Sequence, residues 1–321
     1  MTLLTLPVAR PLFEWRLRSR SLLVGDRTLL MAIVNLTPDS FSGDGLRGNG
    51  NGAASSSSGT GSKLAAATAL AALDAGADLL DLGAESTRPG AHPVSAAEEQ
   101  RRLLPVLEAV LRARPEAVIS VDTYHASTAR AALAAGAEII NDVSGLTWDD
   151  EMAEVVATTG AGLILMHTRG RPGDWRSQPP LPASEVLPLV FSGLMERMAL
   201  AEAMGIEPLR MIVDPGFGFG KRGAENFTLL AGLGRLHELG RPLLLGLSRK
   251  GFLGDAVREV LPKGEDLTLA DARRNATTAA HVAAVLAGAH ILRVHEIQPA
   301  REACAVTDAL LMAGETLMFE E

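Results

Sequence analysis

Eight short apolar runs recur along the chain, and most are unbroken rather than alternating. They are LLMAIV (29–34), DLLDLG (78–83), AVISV (117–121), EIIND (138–142), GLILM (162–166), RMIVD (210–214), LLLGL (243–247) and HILRV (290–294). Unbroken runs of this length are expected of parallel strands covered on both faces. The stretches between them are rich in Ala and Leu at helical spacing. SKLAAATALAALDAGA (62–77) and STARAALAAGA (127–137) each end in Gly-Ala, a helix stop before the next strand. EEQRRLLPVLEAVLRAR (98–114) begins acidic and ends basic, which suits a helix dipole. Eight β and α units in alternation predict a (β/α)8 TIM barrel. A doubly wound open sheet is the rival, but eight is the count for closure and no Rossmann glycine fingerprint follows the first strand. The segment 13–28 reads as a short N-terminal β-hairpin, with Gly25-Asp26 at or near a turn.

Composition fits one such domain over 1–321. Hydrophobic residues make up 47% but aromatics only 4%, so Ala, Leu, Val and Gly must fill the interior. A net charge of −8 disfavours nucleic acid and anionic membrane as partners. The single cysteine, Cys304, permits neither an internal disulfide nor a cysteine zinc cluster and suits a reducing cytoplasm. The N-terminus lacks the apolar core of a signal peptide, and no uncharged apolar run reaches the ~18–20 residues of a membrane span. A cytoplasmic, soluble protein is expected. LRGNGNGAASSSSGTGS (46–62) cannot bury enough apolar surface to offset its ordering entropy, so it is expected to be a flexible insert in the first βα loop.

Chemistry in a barrel gathers on the loops after the strands. Here those positions carry Asn35 with Thr37, Pro38, Asp39 and Ser40; Glu85, Ser86, Thr87 and Arg88; Asp122 and Thr123; Asn141 and Asp142; His167; the run DPGFGFGK (214–221); Ser248, Arg249 and Lys250; and Arg293 and His295. Each alone reads as a helix cap, a turn or a structural residue; together they mark one rim. Asp122, Asn141, Asp214 and Lys250 supply carboxylates, an amide and an ammonium, a set able to read a flat heterocycle. Arg88, Ser248, Arg249, Arg293 and His295 suit a phosphate or pyrophosphate. Asn35 with nearby Asp or Ser oxygens could hold Mg2+. GFGFGK is not a Walker loop, because Pro215 replaces its first glycine and Arg222 its Ser/Thr. Phe217 and Phe219 are expected to pack a pocket wall or the barrel mouth.

In order, NLTPDSFS, DLGAESTRPGA, ISVDT, IINDVSG, LMH, DPGFGFGK, GLSRK and ILRVHE resemble the dihydropteroate synthase family over about 29 to 300. The resemblance implies a Mg2+-dependent, usually dimeric barrel of folate biosynthesis that is the target of sulfonamides. Such a transferase joins 6-hydroxymethyl-7,8-dihydropterin pyrophosphate to para-aminobenzoate. Asp122, Asn141, Met166, Asp214, Phe219, Gly246 and Lys250 are implied at the pterin. Asn35, Arg88, Arg293 and His295 are implied at the pyrophosphate, with Asn35 also at the metal. Thr87, Arg88, Pro89, Ser248, Pro38 and Phe41 are implied at the aminobenzoate. Catalytic roles are implied for Asp122, Lys250 and Asn35, and for Thr37, Asp39 and Phe41 of a mobile first loop. Three departures stand out: Ser42-Gly43-Asp44-Gly45 where the family often has SDGG, Ala84 in place of a glycine, and the insert itself. Deleting 47–61 is expected to leave turnover unchanged. A non-catalytic pterin-binding paralogue and a methyltetrahydrofolate–corrinoid methyltransferase-like domain are the alternatives.

Overall fold

The computed structural model describes residues 10–36, 58–85, 93–258, 260 and 269–319. The eight expected strands form, as β3 (Leu29–Asn35), β4 (Leu79–Gly83), β5 (Ile119–Asp122), β6 (Ile139–Asp142), β7 (Gly162–Met166), β8 (Met211–Asp214), β9 (Leu244–Leu245) and β10 (Ile291–Val294). They lie in the order β8-β7-β6-β5-β4-β3-β10-β9, and each neighbouring pair is parallel. The two ends meet through a parallel bridge between Val213 and Leu243, with the Val213 N–H donating to the Pro242 carbonyl at 3.1 Å. The sheet is therefore a (β/α)8 barrel rather than an open sheet.

Nine α-helices are present among the described residues: α1 (Ser58–Asp74), α2 (Ala96–Ala113), α3 (Ala126–Ala134), α4 (Met152–Thr159), α5 (Ala183–Ala203), α6 (Ala224–Ala231), α7 (Gly251–Arg258), α8 (Leu269–Leu286) and α9 (Ile297–Phe319). Local chemistry sets their ends. The Ser95 hydroxyl accepts from the Glu98 N–H at the start of α2, and Glu98 and Glu99 occupy its first turn. Gly160 closes α4 in the left-handed conformation at φ 66°.

The two-residue period of a strand sorts each strand between two cores. Leu80 and Leu82, Ile140, Leu163 and Leu165, Met211 and Val213, and Leu292 and Val294 face outward into the main core under the helices. Leu79, Ile139, Ile164, Ile212 and Ile291 face inward and form a second cluster within the barrel. The same period puts Asp81, Asp122, Asn141, Met166, Asp214 and Arg293 inside as well, nearer the strands' C-terminal ends. The lower end is stoppered by an antiparallel hairpin, β1 (Phe13–Arg16) and β2 (Ser21–Val24). Its Trp15, Leu17 and Val24 join the interior cluster, and the Trp15 indole N–H donates to the Arg210 carbonyl at 2.9 Å.

One sequence expectation is sharpened and two shift. The hairpin reverses at 17–20, where the Leu17 N–H donates to the Arg20 carbonyl, whereas Gly25-Asp26 forms the bend between β2 and β3. Gly25 sits at φ 122°, and a Cβ there would come within 2.4 Å of the Pro11 carbonyl oxygen. The low-complexity stretch 46–62 is not one flexible unit: 58–62 opens α1, while 46–57 falls outside the described residues. Removing 47–61 would therefore cut into α1. The run 243–247 contributes only two strand residues, because the chain leaves the sheet at Gly246 to build the rim.

Candidate active site

Strand register brings the sequence-predicted residues onto one rung. Asn35 pairs with Gly83, Gly83 with Asp122, and Asp122 with Asn141 across β3 to β6. Glycine at 83 leaves that rung without a side chain; a Cβ there would lie in van der Waals contact with the Asp122 Cβ, at 3.4 Å. On the far side Met166 pairs with Asp214. Thr37, Pro38, Asp39, Ser40, Phe41, Ser86, Thr87, Arg88 and Pro89 lie outside the described residues.

Arg293 crosses the interior from β10. Its Nε donates to Asp81 Oδ2 and its Nη2 to Asp122 Oδ2, each at 2.6 Å. Burial works against the guanidinium charge, but Asp81 and Asp122 together raise its pKa above the usual value. Burial pushes Asp122 up to about 7 even though Arg293 opposes the shift. Asp81 is fully buried, and it also accepts from the Ser120 hydroxyl at 2.7 Å and the Asn141 amide at 3.1 Å.

Asp214 holds the turn that follows β8. Its Oδ1 accepts the Gly216 N–H at 2.7 Å, and Oδ2 has no hydrogen-bond partner among the described residues. Burial raises its pKa, partly offset by the Gly216 N–H, Lys250 and Arg293. The Lys250 Nζ lies 4.1 Å above the Phe219 ring. Burial lowers its pKa to about 8, with Asp214 opposing. Phe219 meets Trp175 edge-on with ring centroids 5.0 Å apart, and the Trp175 indole N–H donates to the Thr168 hydroxyl and the Gly170 carbonyl. A Cβ on Gly246 would meet nothing within 4 Å, so this position faces open space.

Ser248 and His295 are joined across the ends of β9 and β10. The Ser248 hydroxyl oxygen accepts the His295 N–H at 3.3 Å and lies 3.0 Å from its Nδ1. Arg249 departs from the anion set expected of it: it is exposed and pairs with Glu296 at 2.6 Å. Its φ of 58° is left-handed, and its N–H donates to the Thr277 hydroxyl at 3.1 Å. That strained turn places its neighbours Ser248 and Lys250 at the rim. Phe217 is buried and stacks on Phe252, so of the two phenylalanines only Phe219 reaches the mouth.

Two polar groups in this assembly were not singled out from sequence. Asp81 was hidden inside an apolar run, although a charged residue in a buried strand is itself a signal, since such residues are rarely buried unpaired. Lys221 is buried, and its Nζ donates to the carbonyls of Gly216 at 2.8 Å, His167 at 3.1 Å and Phe219 at 3.4 Å. Burial brings its pKa down to about 7. It clamps the loop that carries Phe219; the false Walker motif drew attention to the glycines rather than to this lysine. Among the described residues no three His, Cys, Asp or Glu side chains converge as a metal cage.

Carboxylates, an amide and an ammonium gathered on one interior rim are a donor and acceptor set suited to a flat heterocycle. A family model described as pterin binding enzyme matches residues 31–295. The dihydropteroate synthase of Synechocystis is 38% identical over 95% of this chain and 94% of its own. The chain belongs to the pterin-binding enzyme family, among the dihydropteroate synthases. Solved structures agree. The Xanthomonas albilineans dihydropteroate synthase with 4-aminobenzoic acid is 39% identical, with a TM-score of 0.78 over 94% of this chain and 98% of that one. The Yersinia pestis dihydropteroate synthase in a sulfonamide drug complex is 35% identical, with a TM-score of 0.79 over 92% of this chain and 98% of that one. The family match ends at His295 and so includes every rim residue described above.

Proposed function

We propose that this chain condenses 6-hydroxymethyl-7,8-dihydropterin pyrophosphate with para-aminobenzoate, giving 7,8-dihydropteroate and pyrophosphate. The observation that carries the reading is the interior rim itself, where Asp122, Asn141, Asp214 and Lys250 converge beside the Arg293 guanidinium. Asp214 offers its open oxygen to the 2-amino and N3 edge of the pterin, and Asn141 reads the same ring. Lys250 approaches the O4/N5 side, with Met166, Phe219 and Gly246 lining the slot. Arg293, His295 and Asn35 face the pyrophosphate, and Ser248 begins the aminobenzoate side.

The reaction is S_N1-like. The bond between the pterin methylene carbon and the pyrophosphate oxygen breaks, and Arg293 stabilises the departing charge. Asp122, ionised, faces the methylene cation left behind. The aniline nitrogen then forms the new C–N bond and loses its proton. No covalent enzyme nucleophile is required, and Cys304 is buried on α9 beside Thr28 and Asp308, away from the rim. A magnesium ion fits this donor set only as a passenger of the substrate: the Asn35 amide oxygen and phosphate oxygens would hold it, in keeping with the few protein ligands Mg2+ usually takes. It would supply charge neutralisation to the leaving group.

The purified chain, given the pterin pyrophosphate and Mg2+, should release pyrophosphate only when para-aminobenzoate is added, and a sulfonamide should compete with the aminobenzoate. Release without aminobenzoate would mean hydrolysis instead; no release would contradict the reading. No helix among the described residues is long and apolar enough to cross a membrane. The enzyme is further proposed to be a homodimer. α9 exposes Val306 (72%) and Leu310 (42%), an apolar face suited to a second copy. Light scattering that gives a particle of 33.7 kDa would refute the dimer.

A further inference from the structure

Asp81 is 0% exposed, on the interior face of β4 and one step below the rung that carries Gly83 and Asp122. Removing a carboxylate from water costs several kcal/mol, and an apolar residue of similar size would usually be no less stable there. The neighbouring interior positions show that alternative in use: Leu79, Ile139, Ile212 and Ile291 fill the barrel with hydrocarbon. Asp81 is instead held by three donors, from Ser120, Asn141 and Arg293.

The atoms used by Arg293 explain the choice. Nε–H goes to Asp81 and one Nη2–H to Asp122. A guanidinium has five N–H donors. Three therefore remain, and Nη1 has no hydrogen bond among the described residues. Nη1 and Nη2 form the end of the fork, the edge that binds a planar or tetrahedral anion in bidentate fashion. The Arg293 side chain is 18% exposed, that of Asp122 15% and that of Asp81 0%. The inner carboxylate is thus the permanent partner and the outer one is exchangeable.

We propose that Asp81 is the positioning residue of Arg293: it pins the guanidinium through Nε and so presents the Nη1/Nη2 end to the anionic leaving group. The proposal rests on the reading above, in which Arg293 receives the pyrophosphate. The guanidinium is a rigid plane, so with Nε held its second Nη2–H and the two Nη1–H groups meet the phosphate oxygens together, and a small pivot about the Nε–Asp81 bond lengthens the Nη2–Asp122 contact. The buried cation keeps Asp81 as its counter-ion throughout, and Asp122 is freed toward the pterin. Asp81 touches neither substrate; its action passes through Arg293 and, second, through the Asn141 amide.

A double-mutant cycle tests this. Asp81→Asn, Arg293→Lys and the pair together are titrated with inorganic pyrophosphate and Mg2+ by calorimetry, with steady-state kinetics on both substrates. Asp81→Asn should weaken pyrophosphate binding by about tenfold and raise KM for the pterin pyrophosphate, while KM for para-aminobenzoate stays within about twofold. Lysine has no Nε–H fork to pin, so in the Arg293→Lys background the Asp81 substitution should cost little further. Pyrophosphate affinity unchanged in Asp81→Asn would overturn the proposal. So would an equal loss in both backgrounds, which is what a merely structural role predicts. Thermal unfolding of each variant checks folding. Should Asp81→Asn not fold, Ser120→Ala carries the same cycle, since it loosens Asp81 and leaves its charge in place; a smaller loss, again absent in the lysine background, is expected. A wild-type chain that binds pyrophosphate but forms no dihydropteroate would defeat the functional reading and leave this coupling to be judged on binding alone.

Discussion

Lys250 and Asp122 are tuned toward each other. Burial holds the ammonium down at about 8 and the carboxyl up at about 7. In the proposed reaction both act charged. Below pH about 7 Asp122 gains a proton, and above about 8 Lys250 loses one, so kcat/KM should form a narrow bell between these limbs. Lys250→Arg replaces the group with one that stays protonated throughout, and its alkaline limb should vanish even if the rate drops. An alkaline limb unmoved in that variant would assign it to another group. Most of this site was legible from sequence because chemistry-bearing residues stood at the ends of apolar runs: Asp122, Asn141, Asp214, Lys250, Arg293 and His295 all reach the rim. Asp81 was not, because whether it faces inward or outward depends on register, which a single strand does not reveal. Arg249 misled for a related reason: its place beside Lys250 is fixed by sequence, but its left-handed backbone sends it to Glu296.

Elements differ in how well local sequence specified them. The buried strands were readable from their unbroken runs, since both faces are covered. Gly25-Asp26 does mark a bend, but one that joins β2 to β3; the hairpin's own reversal at 17–20 carries no Gly or Pro to signal it, while Gly25 is needed for the close pass under Pro11. The hairpin's task is to close the lower barrel with Trp15. Trp15→Ala should cost about 3–5 kcal/mol by removing a fully buried ring and its hydrogen bond, as urea unfolding would measure; a loss under about 1 kcal/mol would mean the plug is dispensable. On α8 His281 is buried, its Nε2 has no hydrogen-bond partner among the described residues, and burial takes its pKa down to about 4. The unfolded chain protonates this residue near 6.5 while the folded one does not, so stability is lost as pH falls from about 6.5 toward 4. His281→Leu should remove that loss, gaining about 2 kcal/mol over wild type between pH 8 and pH 5. An identical pH dependence in both proteins would contradict the assignment.

At the scale of the whole molecule, a barrel made from Ala, Leu, Val and Gly leaves its interior divided. The lower half is hydrocarbon, sealed by the hairpin, and the upper half holds the charged groups. That division follows from order along each strand: the first inward-facing residues are apolar and the later ones polar, so the apolar runs that gave the fold class also marked, by their polar ends, the end at which function lies. The first and second βα loops carry every implied aminobenzoate residue but Ser248, and their sequence says little of their conformation, because turn-formers and low complexity do not dictate one geometry. The proposed chemistry requires the pterin to lie in the upper half, and one measurement bears on that most directly: the crystal structure of the chain with a non-reactive pterin pyrophosphate analogue. The pterin should lie beside Phe219 with its N3 edge within about 3 Å of Asp214 and its phosphates on Arg293. A pterin bound elsewhere, or one held in this slot with Asp214 unbonded, would contradict it.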